Sequence, residues 1–193
     1  MQTVLGRARV LRRSHYESAA PAGRIQMPTK KTTAPQDRDA ALRQHLLELL
    51  HGGHAHADFD TAVRNVPTTL RGKRPKGAEH SAWEILEHLR IAQWDILEFS
   101  RNPGHQSPDW PGGYWPETAA PPDAKAWDKS VRAFRRDLKA MCDLVANPAT
   151  DLYARIPHGS GQTILREALL TADHNGYHLG ELVLVRRLLG AWK

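Results

Sequence analysis

The stretch 162–189, QTILREALLTADHNGYHLGELVLVRRLL, decides the fold because it carries a long helical pattern without a break. Its apolar residues recur at three- and four-residue intervals, and Gly190 follows where a helix typically ends. On a helical wheel of about 100° per residue, the pair His174 and His178 lies on one face. That face also carries Leu170, Val185, Leu188 and Leu189. We therefore predict a long helix with two imidazoles in a stripe that faces the core.

Three other segments show helical periodicity. Residues 37–51 end at a glycine pair, and residues 123–146 carry an apolar stripe. Residues 81–100 begin with Ser81 and have Glu84 three positions later, which is the spacing of a capping box. No segment alternates convincingly as a strand does. The pattern therefore predicts the all-α class, with an up-and-down four-helix bundle as the architecture.

The positive charge is concentrated before the first predicted helix. Residues 1–38 carry eight basic and two acidic side chains, whereas residues 39–193 carry nineteen of each. The N-terminal segment has little apolar content and no sustained periodicity. We predict a disordered basic tail over residues 1–35 and one folded domain over residues 36–193. Because the folded part is neutral and a nucleic-acid interface needs a basic face, we expect no nucleic-acid partner.

Cysteine content and hydropathy exclude two further classes of protein. Cys142 is the single cysteine, so the chain forms no intramolecular disulfide framework and no multi-cysteine metal site. No apolar run approaches the ~20 residues that span a bilayer. We expect a cytoplasmic protein without a membrane partner. Cys142 falls in the apolar stripe of residues 123–146, which predicts a buried and unreactive thiol.

The candidate chemistry is a set of three histidines on two helices. His88 lies at the edge of the apolar face of residues 81–100, and it meets His174 and His178 if the two helices face each other. Three neutral imidazoles suit Zn²⁺, Ni²⁺ or Fe²⁺, and a three-histidine site leaves a position open for water or substrate. Spacing alone leaves a plainer interpretation open. With eleven histidines, chance alone supplies about half of one such i,i+4 pair in a chain of this length, and a histidine at a core edge is usually only hydrogen-bonded.

Other polar residues are assigned supporting roles on the same reasoning. Carboxylates near the histidines would orient the ligand rings, and the candidates are Glu84, Glu167 and Asp173. Glu181 or Glu84 would act as a fourth ligand if the site is closed. The aromatic residues of the long 103–122 loop would wall an apolar pocket: Trp110, Tyr114 and Trp115. A weaker hypothesis makes a surface metal site from the loop histidines His51, His54 and His56.

Two motifs carry a resemblance to a known family. The segment 83–90, WEILEHLR, resembles the second helix of DinB-like proteins, and 173–181, DHNGYHLGE, resembles their fourth-helix signature. The similarity extends over roughly residues 38–193. It implies a four-helix bundle that holds a divalent metal, usually zinc or nickel and with iron as a further possibility, on His88, His174 and His178. It also implies a homodimer.

The resemblance leaves the activity open. Some DinB-like proteins transfer low-molecular-weight thiols, some isomerise thiol adducts, and many have no known reaction. We expect a metal-dependent thiol S-transferase in which a small-molecule thiol takes the open position and attacks an electrophile. Two alternatives stay open. One is a metal-dependent hydrolase with His158 or Glu167 as base, and the other is a non-catalytic, stress-associated bundle with a structural metal.

Overall fold

The computed structural model describes residues 35–192. The basic tail predicted over residues 1–35 lies outside these residues, apart from Pro35, where the first helix begins. The helices are α1 Pro35–His51, α2 Phe59–Val63, α3 Ala82–Arg101, α4 Ala126–Ala146 and α5 Ile164–Leu188. Within the described range the extended backbone pairs only in one isolated bridge, between Arg155 and Thr163. The all-α class is confirmed, and no helix in this range is both long and apolar enough to cross a membrane.

Four long helices form the bundle. The helix α3 packs against α4 and α5, and α1 packs against the same two helices. The short helix α2 lies against α5. Paired contacts give the directions of these helices: Glu87 meets Ser130 and Gln93 meets the Phe134 carbonyl, so α3 and α4 run parallel. The alternating order expected of an up-and-down bundle is therefore interrupted between these two helices.

The long loop between α3 and α4 follows from their parallel arrangement. A connection between parallel neighbours must return along the bundle, and a 20-residue helix such as α3 spans about 30 Å. The loop therefore runs back beside α3 toward its N-terminal half. This path brings Tyr114 and Trp115 against His88.

The core consists of two clusters, one toward each end of the bundle. The first includes Leu86, Phe134 and Leu182, and the second includes Leu97 and Met141, all of them buried. Each such side chain contributes roughly 1.5–3 kcal/mol through its removal from water. Cys142 belongs to the second cluster, and burial raises the pKa of its thiol to about 11. The predicted burial of this thiol is confirmed, and its lack of reactivity stays a prediction.

The capping box predicted at the start of α3 is present. The Ser81 hydroxyl accepts a hydrogen bond from the Glu84 backbone N–H at 3.2 Å, and the Glu84 carboxylate accepts one from the Ser81 N–H at 2.8 Å. Arg74 also donates to this carboxylate, at 2.8 Å from its Nε. These contacts fix where α3 begins and so fix the position of His88 about two turns later.

The buried face of α5 differs from the face expected on the wheel. Leu188 was expected in the core and is 53 % exposed, whereas Ala168, Thr171 and Asn175 are buried. The reason is that α5 carries leucines on most sides, so a wheel weighted by large apolar residues is misleading. Among these buried residues, Asn175 donates a hydrogen bond to Gln93 on α3 at 2.8 Å. His174 and His178 are half-buried and therefore lie on the border between core and solvent.

Candidate metal centre

The three predicted histidines come together between α3 and α5. The Nε2 atom of His88 lies 3.1 Å from Nε2 of His178 and 3.1 Å from Nε2 of His174. One ring nitrogen from each residue lies within 4.8 Å of the other two. His88 is buried, with 5 % of its surface exposed, rather than at the edge of the core as expected. The three nitrogens therefore lie close enough together to bind one metal ion.

Hydrogen bonds at Nδ1 determine where two of the rings carry their protons. His88 Nδ1 donates to the Tyr114 carbonyl at 2.9 Å, and a carbonyl oxygen only accepts. His178 Nδ1 donates to the Glu181 carboxylate at 2.9 Å. Hydrogen bonds from His178 and His80 outweigh burial and lower the pKa of Glu181, so it is ionised and only accepts. Whenever either ring is neutral, its Nε2 atom therefore carries a lone pair rather than a proton.

These protonation states place two acceptor atoms in contact. Burial lowers the pKa of His88, and burial together with the two neighbouring rings lowers that of His174 to about 3. His88 and His174 are therefore neutral near pH 7, and a neutral His178 would bring its Nε2 lone pair into repulsive contact with that of His88. A cation relieves this repulsion. Two nitrogens at ~2.0–2.1 Å from a tetrahedral zinc ion lie ~3.3 Å apart, close to the separation found here.

His174 completes the set without a fixed tautomer. Its Nδ1 atom is buried and has no hydrogen-bond partner within residues 35–192, and the same holds for Oδ1 of Asn175. A cation at Nε2 would therefore select the form with the proton on Nδ1. Three neutral imidazoles in this arrangement fit a divalent transition metal such as zinc, nickel or iron.

Glu181 connects the triad to a fourth histidine. One carboxylate oxygen accepts from His178, and the other lies 3.3 Å from Nδ1 of His80. The indole of Trp115 stacks on both His80, at 3.9 Å, and His88, at 4.0 Å between ring centroids. Sequence reasoning missed His80, which precedes the helix cap and carries no periodic signal. The contact between Glu181 and His178 could have been predicted, because residues three positions apart are neighbours on a helix surface.

The prediction that Glu84, Glu167 and Asp173 orient the ligand rings was wrong, because none of them forms a hydrogen bond with the three histidines among the described residues. Glu84 is bound by Arg74 and Ser81, Glu167 by Arg166, and Asp173 is exposed. The orienting role falls to Glu181, which was expected only as a possible fourth ligand. Both of its oxygens are occupied by histidines. Within the described part of the chain, the cluster that can hold a metal contains three residues and no carboxylate.

The residues expected near the site mouth lie elsewhere or make other contacts. His158 binds the Phe99 carbonyl at 2.7 Å, at a point about 16 Å along α3 from His88. Trp110 is 79 % exposed, and the Tyr114 hydroxyl binds Asp95. Of the three loop aromatic residues expected to line the site, Trp115 alone packs its ring against histidines of the triad. The loop histidines His51, His54 and His56 do not appear in a metal-binding cluster among the described residues.

A sequence model of the DinB superfamily matches residues 51–182, which is more than half of the chain and includes all three histidines. No curated protein and no solved structure matches the chain. The match agrees with the all-helical bundle described above. The chain therefore belongs to the DinB superfamily.

Proposed function

We propose that His88, His174 and His178 hold one divalent transition-metal ion that activates a low-molecular-weight thiol for transfer to an electrophile. The observation that supports a metal most strongly is the 3.1 Å contact between the Nε2 lone pairs of His88 and His178. Zinc or nickel is the metal we expect, with iron as the third candidate. The thiol, the electrophile, the homodimer and the cytoplasmic location stay predictions.

An open coordination position supports a catalytic role rather than a purely structural one. Structural zinc sites have four protein ligands, whereas catalytic sites have three and leave one position for water or substrate. The cluster of possible ligand atoms among the described residues does not include Glu181, whose two oxygens lie against His178 and His80 instead. The side chain of His178 is 13 % exposed, and Tyr177 beside it is 74 % exposed. A small molecule can therefore approach the triad from this side.

The metal would stabilise the thiolate, which is the reactive form of a thiol. The residues of the chain supply the remaining conditions. Burial keeps His88 and His174 neutral, and only neutral imidazole has a lone pair to offer. Glu181 and the Tyr114 carbonyl orient two of the rings. The thiol of Cys142 takes no part in this proposal. It is buried in the second core cluster, whereas Leu89 and Leu179, the neighbours of His88 and His178 in the chain, belong to the first.

The positions of the candidate bases favour thiol transfer over hydrolysis. A metal-dependent hydrolase would use metal-bound water, whose pKa falls to about 7, together with a nearby base that accepts the proton during attack. His158 lies far along α3 from the triad, and Glu167 is paired with Arg166 about 10 Å before His174 along α5. A thiol that coordinates the metal is deprotonated outright and needs no such base. The observed arrangement therefore suits a thiol better than water.

A structural metal is the second candidate, and the burial of His88 favours it. An ion at the triad would join α3 to α5, and the stacked indole of Trp115 covers one face of the His88 ring. Such an ion would stabilise the folded state whether or not it binds substrate. Access for a thiol is what separates the two functions.

Thermal denaturation of metal-depleted, full-length protein tests both the thiol-activating and the structural function. We expect zinc or nickel to raise Tm, and a small thiol to raise it further only when metal is present. His178→Ala should abolish both shifts, whereas His158→Ala, at an exposed histidine outside the triad, should keep them. If metal raises Tm and the thiol has no further effect, the result supports the structural role and contradicts thiol activation. The absence of any metal shift in the wild-type chain would overturn the proposal.

A further inference from the structure

One carboxylate on α3 holds the long loop at two places. Asp95 Oδ1 accepts a hydrogen bond from His105 Nε2 at 2.7 Å, and Oδ2 accepts one from the Tyr114 hydroxyl at 2.6 Å. The side chains of Asp95 and His105 are 12 % and 6 % exposed, so both contacts are shielded from water. Hydrogen bonds to an ionised carboxylate are roughly twice as strong as those between neutral groups. Asp95 therefore fixes both ends of the segment 105–114.

Tyr114 links this carboxylate to a residue of the triad. Its hydroxyl binds Asp95, and its carbonyl accepts the hydrogen bond from His88 Nδ1. Asp95 lies seven residues after His88 on α3, which places the two on nearly the same helix face, about 10 Å apart along the axis. The side chain of Tyr114 spans this gap. The next residue, Trp115, stacks on the His88 ring with an angle of 4° between the planes.

We infer that Asp95 is a positioning residue for His88. It holds Tyr114 where the carbonyl of that residue keeps the proton of His88 on Nδ1, so that the Nε2 lone pair faces His174 and His178. Without the carboxylate, the Tyr114 carbonyl and the Trp115 ring lose their anchor on α3, and His88 gains access to its other tautomer. Outer contacts of this kind typically change metal affinity by about 10–100-fold.

The chain offers a matched carboxylate for comparison. Glu87 is also on α3 and also buried, but its oxygens bind Arg90 and Ser130 on the side that faces α4. It has no hydrogen bond to the loop or to the triad. A substitution at Glu87 therefore removes a buried charge from the same helix without acting on His88.

The histidine tautomers of the metal-free, full-length chain test the inference directly. Long-range ¹⁵N–¹H correlation spectra distinguish protonation at Nδ1 from protonation at Nε2, and a His88→Gln variant assigns the signal. We expect His88 to be protonated at Nδ1 in the wild type and in Glu87→Gln, and to become a mixture of tautomers in Asp95→Asn. Tyr114→Phe removes the same link by a milder change and should give the same mixture, even if Asp95→Asn does not fold. An unchanged His88 signal in Tyr114→Phe would overturn the inference.

Metal affinity provides a second readout, and this part rests on the proposed function. Titration with Co²⁺, followed by visible absorption, should give about 10–100-fold weaker binding for Asp95→Asn and Tyr114→Phe, and wild-type binding for Glu87→Gln. Equal loss in all three variants would assign Asp95 a merely structural role and overturn the inference. If the wild type binds no cobalt, the proposed function fails, and the tautomer spectra still decide the role of Asp95.

Discussion

His88 and His178 turn the same nitrogen toward each other: their Nε2 atoms lie 3.1 Å apart, while each Nδ1 atom donates a hydrogen bond to a different acceptor. Two neutral imidazoles in this state repel at their lone pairs. The contact persists because the surrounding residues, above all Glu181 and the Tyr114 carbonyl, hold the rings in place. An arrangement that is unfavourable without a cation and favourable with one is typical of a site built to hold a metal.

Glu181→Gln should weaken metal binding about 10–100-fold, because the amide keeps the size of the side chain but loses the negative charge that holds the proton of His178 on Nδ1. Competition with a chelator of known affinity measures the change. Glu98→Gln is the control, since Glu98 pairs with Arg101 near the far end of α3. Unchanged affinity in Glu181→Gln would show that this contact does not support the site.

Cys142 should not react in the folded protein. Burial raises the pKa of its thiol to about 11, and at pH 8 the thiolate fraction is then ~0.1 %. Ellman's reagent should label the chain only in denaturant, and Cys142→Ser should keep the metal- and thiol-dependent Tm shifts. Rapid labelling of the native protein, or loss of the thiol shift in the serine variant, would contradict the account.

Ser81→Ala should lower the free energy of unfolding by at least about 1 kcal/mol, because it removes the acceptor for the Glu84 backbone N–H and also the donor to the Ala119 carbonyl. Denaturant unfolding of the metal-depleted chain measures this. Ser107→Ala serves as control, since that serine lies in the loop outside any helix cap. A loss in the control as large as that in Ser81→Ala would argue against the capping role.

Glu84→Gln should destabilise the protein at neutral pH and have little effect at strongly acidic pH. Burial alone raises the pKa of Glu84, but hydrogen bonds from Arg74 and Ser81 outweigh it, and the net shift is downward. A carboxyl with a lowered pKa contributes stability above its unfolded pKa of about 4.3, and this contribution is lost as the pH falls through the folded pKa. Unfolding titrations of both proteins at several pH values measure the difference. A difference that stays constant with pH would contradict the ionic contribution.

The bundle and its capping signals could be predicted from the sequence because they depend on local spacing. The Ser81 and Glu84 pair predicted the start of α3 correctly, and the stripes of α3 and α4 predicted their buried faces. The pairing of His88 with His174 and His178 also followed from periodicity, once the helices were assumed to face each other. The family resemblance supplied that assumption, and the structure confirms it.

The remaining features depend on tertiary contacts that periodicity does not encode. The buried face of α5 was misjudged because Ala168 and Asn175 are buried while Leu188 is exposed. The contact between Glu84 and Arg74 was not predictable, since Arg74 reaches its partner from a loop. The same holds for Asp95, because the tyrosine and histidine it binds come from the loop that returns along α3.

X-ray absorption at the metal edge of the loaded protein tests the central claim most directly. The account predicts three imidazole nitrogens at ~2.0–2.1 Å from a zinc ion, together with one exchangeable oxygen donor. When a small thiol is added, a sulfur contribution should appear. His174→Ala should lose the bound metal. A loaded wild-type protein whose spectrum contains no imidazole scattering, or retention of the full metal content by His174→Ala, would contradict the assignment.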